Sequence, residues 1–170
     1  MKIISVLLAA WLAAFVSPIL AAGDTTVTET MVIDGVPATT SNGYLERTRE
    51  LVMQALAMIG VNYKFGGSTP TDGVDCSGLV GYVFHEVVGL VLPRNSQAMS
   101  KVGNKIEPTK LQPGDLVFFN TRKHPYSHVG IYIGEQRFVH APSRGREVEV
   151  ADMHDRYWQK RYNGARRVSF

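Results

Sequence analysis

The sequence has only one cysteine, Cys76, among 170 residues, and charged residues make up only 19% of it. A single cysteine excludes an internal disulfide. The formal net charge of +3 is too small to indicate a nucleic-acid partner. Hydrophobic residues make up 45% of the chain, and this length suits one globular domain with its own core.

The apolar run near the N-terminus is too short for a stable membrane span. It extends from Ile3 to Phe15, follows Lys2 and ends in small residues around Ala22. This order is typical of a secretory signal peptide. We therefore predict that residues 1–22 are a signal peptide, that there is no stable membrane anchor, and that the protein is periplasmic or secreted. No cysteine follows the run for lipid attachment.

Helical periodicity begins after a threonine-rich stretch over residues 23–43, which we predict to be a linker or N-terminal arm. The folded domain is predicted over residues 44–170. Its first helix is predicted over Tyr44–Ile59, with a cap at Ser41 or Asn42. The residues expected to form its buried stripe are Leu45, Val52, Leu56 and Ile59.

A second helix is predicted over Cys76–Val88, with Asp75 as its N-cap and Gly89 at its end. The second half of the chain then changes to β periodicity. Its short runs of β-formers are Leu116–Phe119, Val129–Ile133, Arg137–Ala141, Glu147–Val150 and Arg166–Val168. Helices followed by strands predict an α+β domain, with N-terminal helices packed on an antiparallel sheet of about five to six strands.

Cys76 lies where the second helix begins. Free backbone N–H groups there favour a negative charge, so we expect them to lower the thiol pKa and to stabilise an oxyanion. We also expect Gly78 to leave room for a substrate. The alternative is a buried cysteine that packs as a small hydrophobic residue.

Two of the five histidines lie at ends of neighbouring predicted strands. His128 opens one strand and His140 ends the next. Triad logic would make Cys76 the nucleophile, His128 its base and His140 the group that orients the His128 ring.

This triad has a geometric condition. A regular hairpin closed by a two-residue turn at Glu135–Gln136 would pair odd with even positions. His128 and His140, both even-numbered, would then face opposite sides of the sheet. Glu-Gln is a poor two-residue turn, so we predict a longer or bulged turn that includes Gly134 and brings both histidines to one face.

These residues stand in blocks whose order and spacing resemble the NlpC/P60 cysteine peptidases. The blocks are Tyr63–Gly67, Asp75–Val80, Leu92–Ser96, Leu111–Phe119, His128–Tyr132 and Phe138–Ala141. The resemblance extends over about Leu51–Phe170. It implies a papain-like α+β fold and a catalytic domain that hydrolyses peptidoglycan stem peptides, commonly between γ-D-glutamate and a diamino acid.

The resemblance also implies roles for individual side chains. Tyr63 matches a tyrosine near the nucleophile that can help to hold the oxyanion. Asp75 and Ser77 match positions that bind the substrate in some members. Arg94 matches a recurrent arginine. An ion pair within the fold explains this arginine at least as well as contact with the substrate does. We expect no cofactor and no metal.

Other functions stay open at this point. An amidase with the same triad would act on another wall or amide substrate, and a degenerate site would leave a non-catalytic wall-binding domain. Cys76, His128 and His140 would also suffice as three ligands of a metal ion. The expected partner is the peptidoglycan stem peptide, and a regulatory or targeting protein stays unknown.

Overall fold

The computed structural model describes residues 38–122 and 124–170. The predicted signal peptide over residues 1–22 and most of the predicted linker over residues 23–43 lie outside the described residues, so both stay predictions. Within the described part of the chain, no helix is long and apolar enough to cross a membrane.

The helices and strands follow the predicted α+β order. The helices are α1 (Ala38–Ala57), α2 (Cys76–Val88), α3 (Ser96–Met99) and α4 (Arg156–Gln159), with a 3-10 turn at Pro108–Lys110. The strands are β1 (Ser68–Thr69), β2 (Gly73–Val74), β3 (Asn104–Ile106), β4 (Leu116–Phe119), β5 (His128–Gly134), β6 (Arg137–His140), β7 (Glu149–Asp152) and β8 (Tyr162–Arg167).

Six of these strands form one antiparallel sheet in the order β3-β8-β4-β5-β6-β7. The fold class predicted from the sequence is therefore confirmed. The sequence missed β3, a polar strand at the sheet edge, and the small β1–β2 hairpin. Both are too short and too polar to show a β period.

Helix α1 corrects the predicted helix in two respects. It begins at Ala38, before the predicted start at Tyr44, and the predicted cap residues lie inside it. Its buried face includes Leu51 and Ala55, whereas Leu45 is 64% exposed. The helix ends at Ala57, so Ile59, which was expected in its stripe, lies beyond it and is 48% exposed. The helix carries two apolar stripes, and only packing against α2 and β5 decides which of them is buried.

Helix α2 is the centre of the core and matches its predicted bounds. Asp75 accepts the Gly78 N–H at 2.7 Å as the N-cap, and Gly89 ends the helix with φ 67°. Its core side chains are fully buried, and each contributes roughly 1.5–3 kcal/mol. They are Leu79, Val80, Val83 and Phe84.

Gly78 does not leave room for a substrate, and that expectation was wrong. A Cβ at Gly78 would collide with the backbone carbonyl oxygen of Gly67. The first turn of α2 therefore packs directly on the glycine-rich loop that precedes β1, and Gly78 is needed for this close approach.

The β5–β6 hairpin has the predicted irregularity. Tyr132 pairs with Phe138, but Gly134 pairs with Arg137, so Ile133 is an extra residue in β5. The turn itself has only two residues, Glu135 and Gln136, both with positive φ (51° and 59°). The irregularity is thus a bulge beside a short turn rather than a longer loop. Beyond it, even positions pair with even positions, so His128 and His140 share one face.

Candidate active site

Cys76 is the first residue of α2 and is partly exposed. Its sulfur is contacted by the backbone N–H groups of Ser77 and Val129. Val129 directly follows His128 in β5. The start of α2 and the start of β5 therefore meet at the cysteine, although the two residues are far apart in sequence.

The expected lowering of the Cys76 pKa is wrong for the free protein. Burial raises the pKa of the thiol above 9.0, and the carboxylate of Asp75 raises it further. The N–H groups of Val129 and Ser77 and the charge of Arg122 act in the opposite direction without outweighing them. The sequence shows the helix N-terminus, but burial depends on the segments that pack around it.

His128 and His140 form a buried pair. Nε2 of His128 lies 2.9 Å from Nδ1 of His140, and the two rings are nearly perpendicular at 85°. His128 is 4% exposed and His140 is 0% exposed. This contact occupies Nε2 of His128, so Nδ1 is the His128 nitrogen left for a proton transfer.

Both histidines are neutral at pH 7. Burial lowers the pKa of His128 to about 4, with a further contribution from the charge of Arg122. Burial, the neighbouring His128 and Arg146 lower the pKa of His140 to about 2. The resting site therefore holds a thiol and a neutral imidazole, and the imidazole is able to accept a proton.

Trp158 covers the histidine pair and was missed in the sequence. Its ring stacks on His128 at a centroid distance of 5.7 Å and meets the His140 ring edge-on at 4.9 Å. It lies in the short helix α4, which has no periodicity that would indicate a site. Its indole excludes water from the pair and so contributes to the burial that keeps both rings neutral.

Tyr63 borders the same cleft as Cys76. Its hydroxyl oxygen accepts a hydrogen bond from Arg122 at 3.3 Å, and the guanidinium of Arg122 lies over the Phe65 ring at 5.7 Å. The Tyr63 O–H is thus left to donate to another group. No motif in the sequence indicated Arg122.

The other residues suggested by the resemblance form one network. Both carboxylate oxygens of Asp75 accept from Arg94, at 2.9 and 3.1 Å. Asp75 also accepts from the Gly66 N–H at 3.0 Å, the Gly78 N–H at 2.7 Å and the Ser77 hydroxyl at 3.0 Å. The four N–H donors are enough to fill the roughly four lone-pair sites of a carboxylate, and the single hydrogen of the Ser77 hydroxyl is shared with the Arg94 carbonyl oxygen at 2.9 Å.

This network keeps Asp75 ionised. Burial by itself raises the pKa of Asp75, but the hydrogen bonds from Arg94, Gly78 and Gly66 outweigh it and hold the pKa below 3.8. Asp75, Ser77 and Arg94 all line the Cys76 cleft. Their contact with a substrate stays a prediction.

Two clefts lie beside the site. One has a volume of about 320 Å³ and is lined by Tyr63 and Cys76. The other has a volume of about 740 Å³ and is lined by His128 and Trp158. Arg122 borders both clefts. The two clefts therefore adjoin at the Arg122 side chain.

Across residues 38–122 and 124–170, no group of three or more His, Cys, Asp or Glu side chains is arranged to hold a metal ion. Cys76, His128 and His140 are included in that range.

The sequence is similar to those of known hydrolases. The chain is 47% identical over 118 residues to a gamma-DL-glutamyl hydrolase of Bacillus subtilis, covering 69% of this chain and 28% of the relative. It is 47% identical over 109 residues to the murein DD-endopeptidase MepS/murein LD-carboxypeptidase of Escherichia coli K12. This match covers 64% of this chain and 56% of the relative. The chain thus spans less than two thirds of these relatives.

A solved structure and a family model point to the same group. The crystal structure of an NlpC/P60 family protein from Bacillus cereus ATCC 10987 superposes with a TM-score of 0.66 at 31% identity, covering 71% of this chain and 39% of that one. The model of the NlpC/P60 family matches residues 60–167. That segment includes Cys76, His128 and His140, and the chain belongs to the NlpC/P60 family.

Proposed function

We propose that this protein is an extracytoplasmic cysteine peptidase that hydrolyses peptide bonds in peptidoglycan stem peptides. One observation carries the proposal: a buried His128–His140 pair with a 2.9 Å N···N contact lies where β5 meets the start of α2 at Cys76. A purely structural cysteine does not need this pair beside it.

In the proposed mechanism, Nδ1 of neutral His128 takes the proton from the Cys76 thiol as the sulfur attacks the scissile carbonyl carbon. An S–C bond forms and the carbonyl π pair moves to oxygen. Nε2–H of His128 donates to Nδ1 of His140, which holds the ring and stabilises the imidazolium. The C–N bond then breaks, and the leaving nitrogen takes the proton from His128.

Hydrolysis of the thioester completes the cycle. A water molecule gives a proton to Nδ1 of His128 while its oxygen bonds to the acyl carbon. The C–S bond breaks, the carboxylic acid leaves, and the proton returns to Cys76. Every proton passes through one ring nitrogen, so the orientation of the His128 ring decides both halves of the reaction.

The negative oxygen formed at each step needs donors. The N–H groups of Cys76 and Ser77 lie in the first turn of α2 and have no backbone acceptor within the helix. The hydroxyl of Tyr63, which accepts from Arg122 and is free to donate, is the proposed third donor.

For the bond cleaved, we propose the γ-D-glutamyl–diamino acid bond. The name of the Bacillus subtilis relative supports this choice, whereas the Escherichia coli relative is named a DD-endopeptidase. The D-alanyl cross-link is therefore the competing bond.

The test uses the purified chain with two defined substrates. One is a stem tripeptide with an internal γ-D-glutamyl–diamino acid bond, and the other is a dimer cross-linked through D-alanine. Products are read by mass, with Cys76→Ala as the control. Cleavage of the tripeptide that is lost in Cys76→Ala supports the proposal.

Other outcomes separate the alternatives. Cleavage of only the cross-linked dimer overturns the proposed bond but keeps the peptidase. Cleavage of neither, with binding to isolated peptidoglycan, supports a non-catalytic wall-binding domain. Cleavage of neither substrate, with hydrolysis of a simpler amide supplied as a third substrate, supports an amidase.

We also infer that residues 1–22 direct export and are removed near Ala22, which places the protein in the periplasm or outside the cell. Intact-mass measurement of the protein recovered from these compartments tests this inference. A full-length mass confined to the cytoplasm would overturn it.

A further inference from the structure

The proposed mechanism requires one tautomer of His140. For Nδ1 of His128 to act as the base, Nε2 of His128 must carry its hydrogen and donate it to Nδ1 of His140. Nδ1 of His140 must then be bare, and its own hydrogen must lie on Nε2. What holds the hydrogen on Nε2 of His140 therefore decides whether His128 faces the cysteine in its basic form.

Nε2 of His140 is completely buried and has no hydrogen-bond partner among the described residues. A buried donor without a partner is energetically unfavourable, so an acceptor is expected within reach of Nε2. Oε1 of Glu149 lies 3.5 Å from Nε2 of His140. The carboxylate thus lies just beyond hydrogen-bond length.

The sheet fixes this neighbour. Glu149 is the first residue of β7 and pairs directly with His140 of β6. Directly opposed residues have Cβ atoms roughly 4.5–5.5 Å apart. The carboxylate can therefore reach Nε2 of His140 by a side-chain rotation, without any backbone movement.

Arg146 competes for the same carboxylate. Its Nη2 lies 2.6 Å from both oxygens of Glu149. The charged groups around His140 are thus the Glu149 carboxylate from β7 and the Arg146 guanidinium from the preceding loop. From β5 it faces neutral His128, and from α4 it faces the indole of Trp158.

We propose that Glu149 is a positioning residue of the active site: its carboxylate fixes the hydrogen of His140 on Nε2 and thereby orients His128 for proton exchange with Cys76, while Arg146 restrains the carboxylate. The inference rests on the proposed function and deepens it. Glu149 acts through His140 and touches no reacting atom.

The first test needs no substrate. Ring-nitrogen NMR of the full chain, labelled with ¹⁵N-histidine, reports which nitrogen of each ring carries hydrogen. We expect wild-type His140 to be protonated on Nε2 and bare on Nδ1, and Glu149→Ala to show a mixture of both tautomers. An unchanged single tautomer in Glu149→Ala overturns the inference, whether or not the protein cleaves stem peptides.

The second test measures the kinetics of stem-peptide cleavage by two variants of Glu149. Glu149→Ala is expected to lower kcat by roughly 10- to 100-fold, as loss of an orienting partner does elsewhere, with KM within about twofold. Glu149→Gln keeps an acceptor oxygen but no charge, so its kcat is expected to lie between those of Glu149→Ala and the wild type.

The pH profile separates positioning from simple support of the fold. Removing the negative charge of Glu149 disfavours the imidazolium, so the acid limb of kcat moves to lower pH in Glu149→Gln. Removing the positive charge in Arg146→Gln favours the imidazolium, so the limb moves to higher pH. Glu147→Gln, an exposed neighbour outside the site, is the control and is expected to leave the limb in place.

Loss of activity in Glu149→Ala without opposite pH shifts in the Gln variants would reduce Glu149 to a structural residue. Activity and pH limbs like those of the wild type in all three variants would also overturn the proposal. Failure of the wild type to cleave any stem peptide counts against the proposed function alone, since the tautomer measurement does not depend on it.

Discussion

Arg94 and Asp75 form a two-pronged ion pair, with Nη1 2.9 Å from Oδ1 and Nη2 3.1 Å from Oδ2. Nη2 of Arg94 also donates to the Gly67 carbonyl at 2.9 Å. The pair thus joins the glycine-rich loop, the N-cap of α2 and the segment before α3. All three meet beside Cys76.

Replacing Arg94 by Gln is expected to lower the free energy of unfolding by about 1–3 kcal/mol, because it leaves the Asp75 carboxylate buried with fewer donors. Arg94→Lys keeps the charge without the two-pronged geometry, so its free energy of unfolding should lie between those of Arg94→Gln and the wild type. Chemical denaturation at pH 7 measures both. If Arg94 instead holds the substrate, KM rises while stability stays unchanged.

The same ion pair gives stability a defined pH dependence. The pKa of Asp75 is lower in the folded chain than its ordinary value of 3.8. Its contribution is therefore complete above pH 3.8 and is lost as pH falls through the folded pKa. Arg94→Gln should show a weaker loss of stability on acidification below pH 3.8 than the wild type, and equal slopes would contradict this.

Cys76 should react as a thiol rather than as a stable thiolate. Burial raises its pKa above 9.0, and His128 is neutral above about pH 4. Alkylation of Cys76 by iodoacetamide should therefore accelerate with pH up to a midpoint above 9.0. A fast rate that is flat from pH 5 to pH 8 would indicate a thiolate–imidazolium pair instead.

Arg122 depresses the pKa of both Cys76 and His128 through its charge. Arg122→Gln should raise the His128 pKa, so the acid limb of kcat/KM moves to higher pH than in the wild type. The thiol pKa should rise as well, which slows alkylation at pH 8. Arg144→Gln, an exposed change elsewhere, serves as the control. An acid limb of kcat/KM that does not move in Arg122→Gln would contradict the effect assigned to the Arg122 charge.

Two glycines of α2 offer a matched pair of substitutions. A Cβ at Gly78 would collide with the Gly67 backbone, whereas a Cβ at Gly81 would meet only the Met99 side chain at 4.0 Å. Gly78→Ala should cost about 1–3 kcal/mol of stability. Gly81→Ala should gain about 0.5–1 kcal/mol from helix propensity. Thermal and chemical unfolding of both variants measure the difference, and similar effects would contradict the close contact.

Local signals were enough for some elements. The bounds of α2 follow from Asp75 and Gly89, because a helix cap acts on backbone groups a few residues away. Strand β4 follows from its continuous apolar run Leu116–Phe119. The irregular β5–β6 hairpin followed from the parity of His128 and His140. The sequence did not show whether the irregularity is a bulge or a longer turn, because either one brings two even-numbered residues to the same face of the sheet.

The amino-acid sequence was sufficient to predict the family, the α+β class and the position of Cys76 at a helix start, since each of these rests on patterns of neighbouring residues. Tertiary structure alone decided which face of α1 is buried, that Gly78 packs on Gly67, and that Glu149 lies opposite His140. It also decided the charge state of the site. The pKa of a thiol or an imidazole follows burial and neighbouring charges, and here these come from segments as distant as Asp75, Arg122 and Trp158.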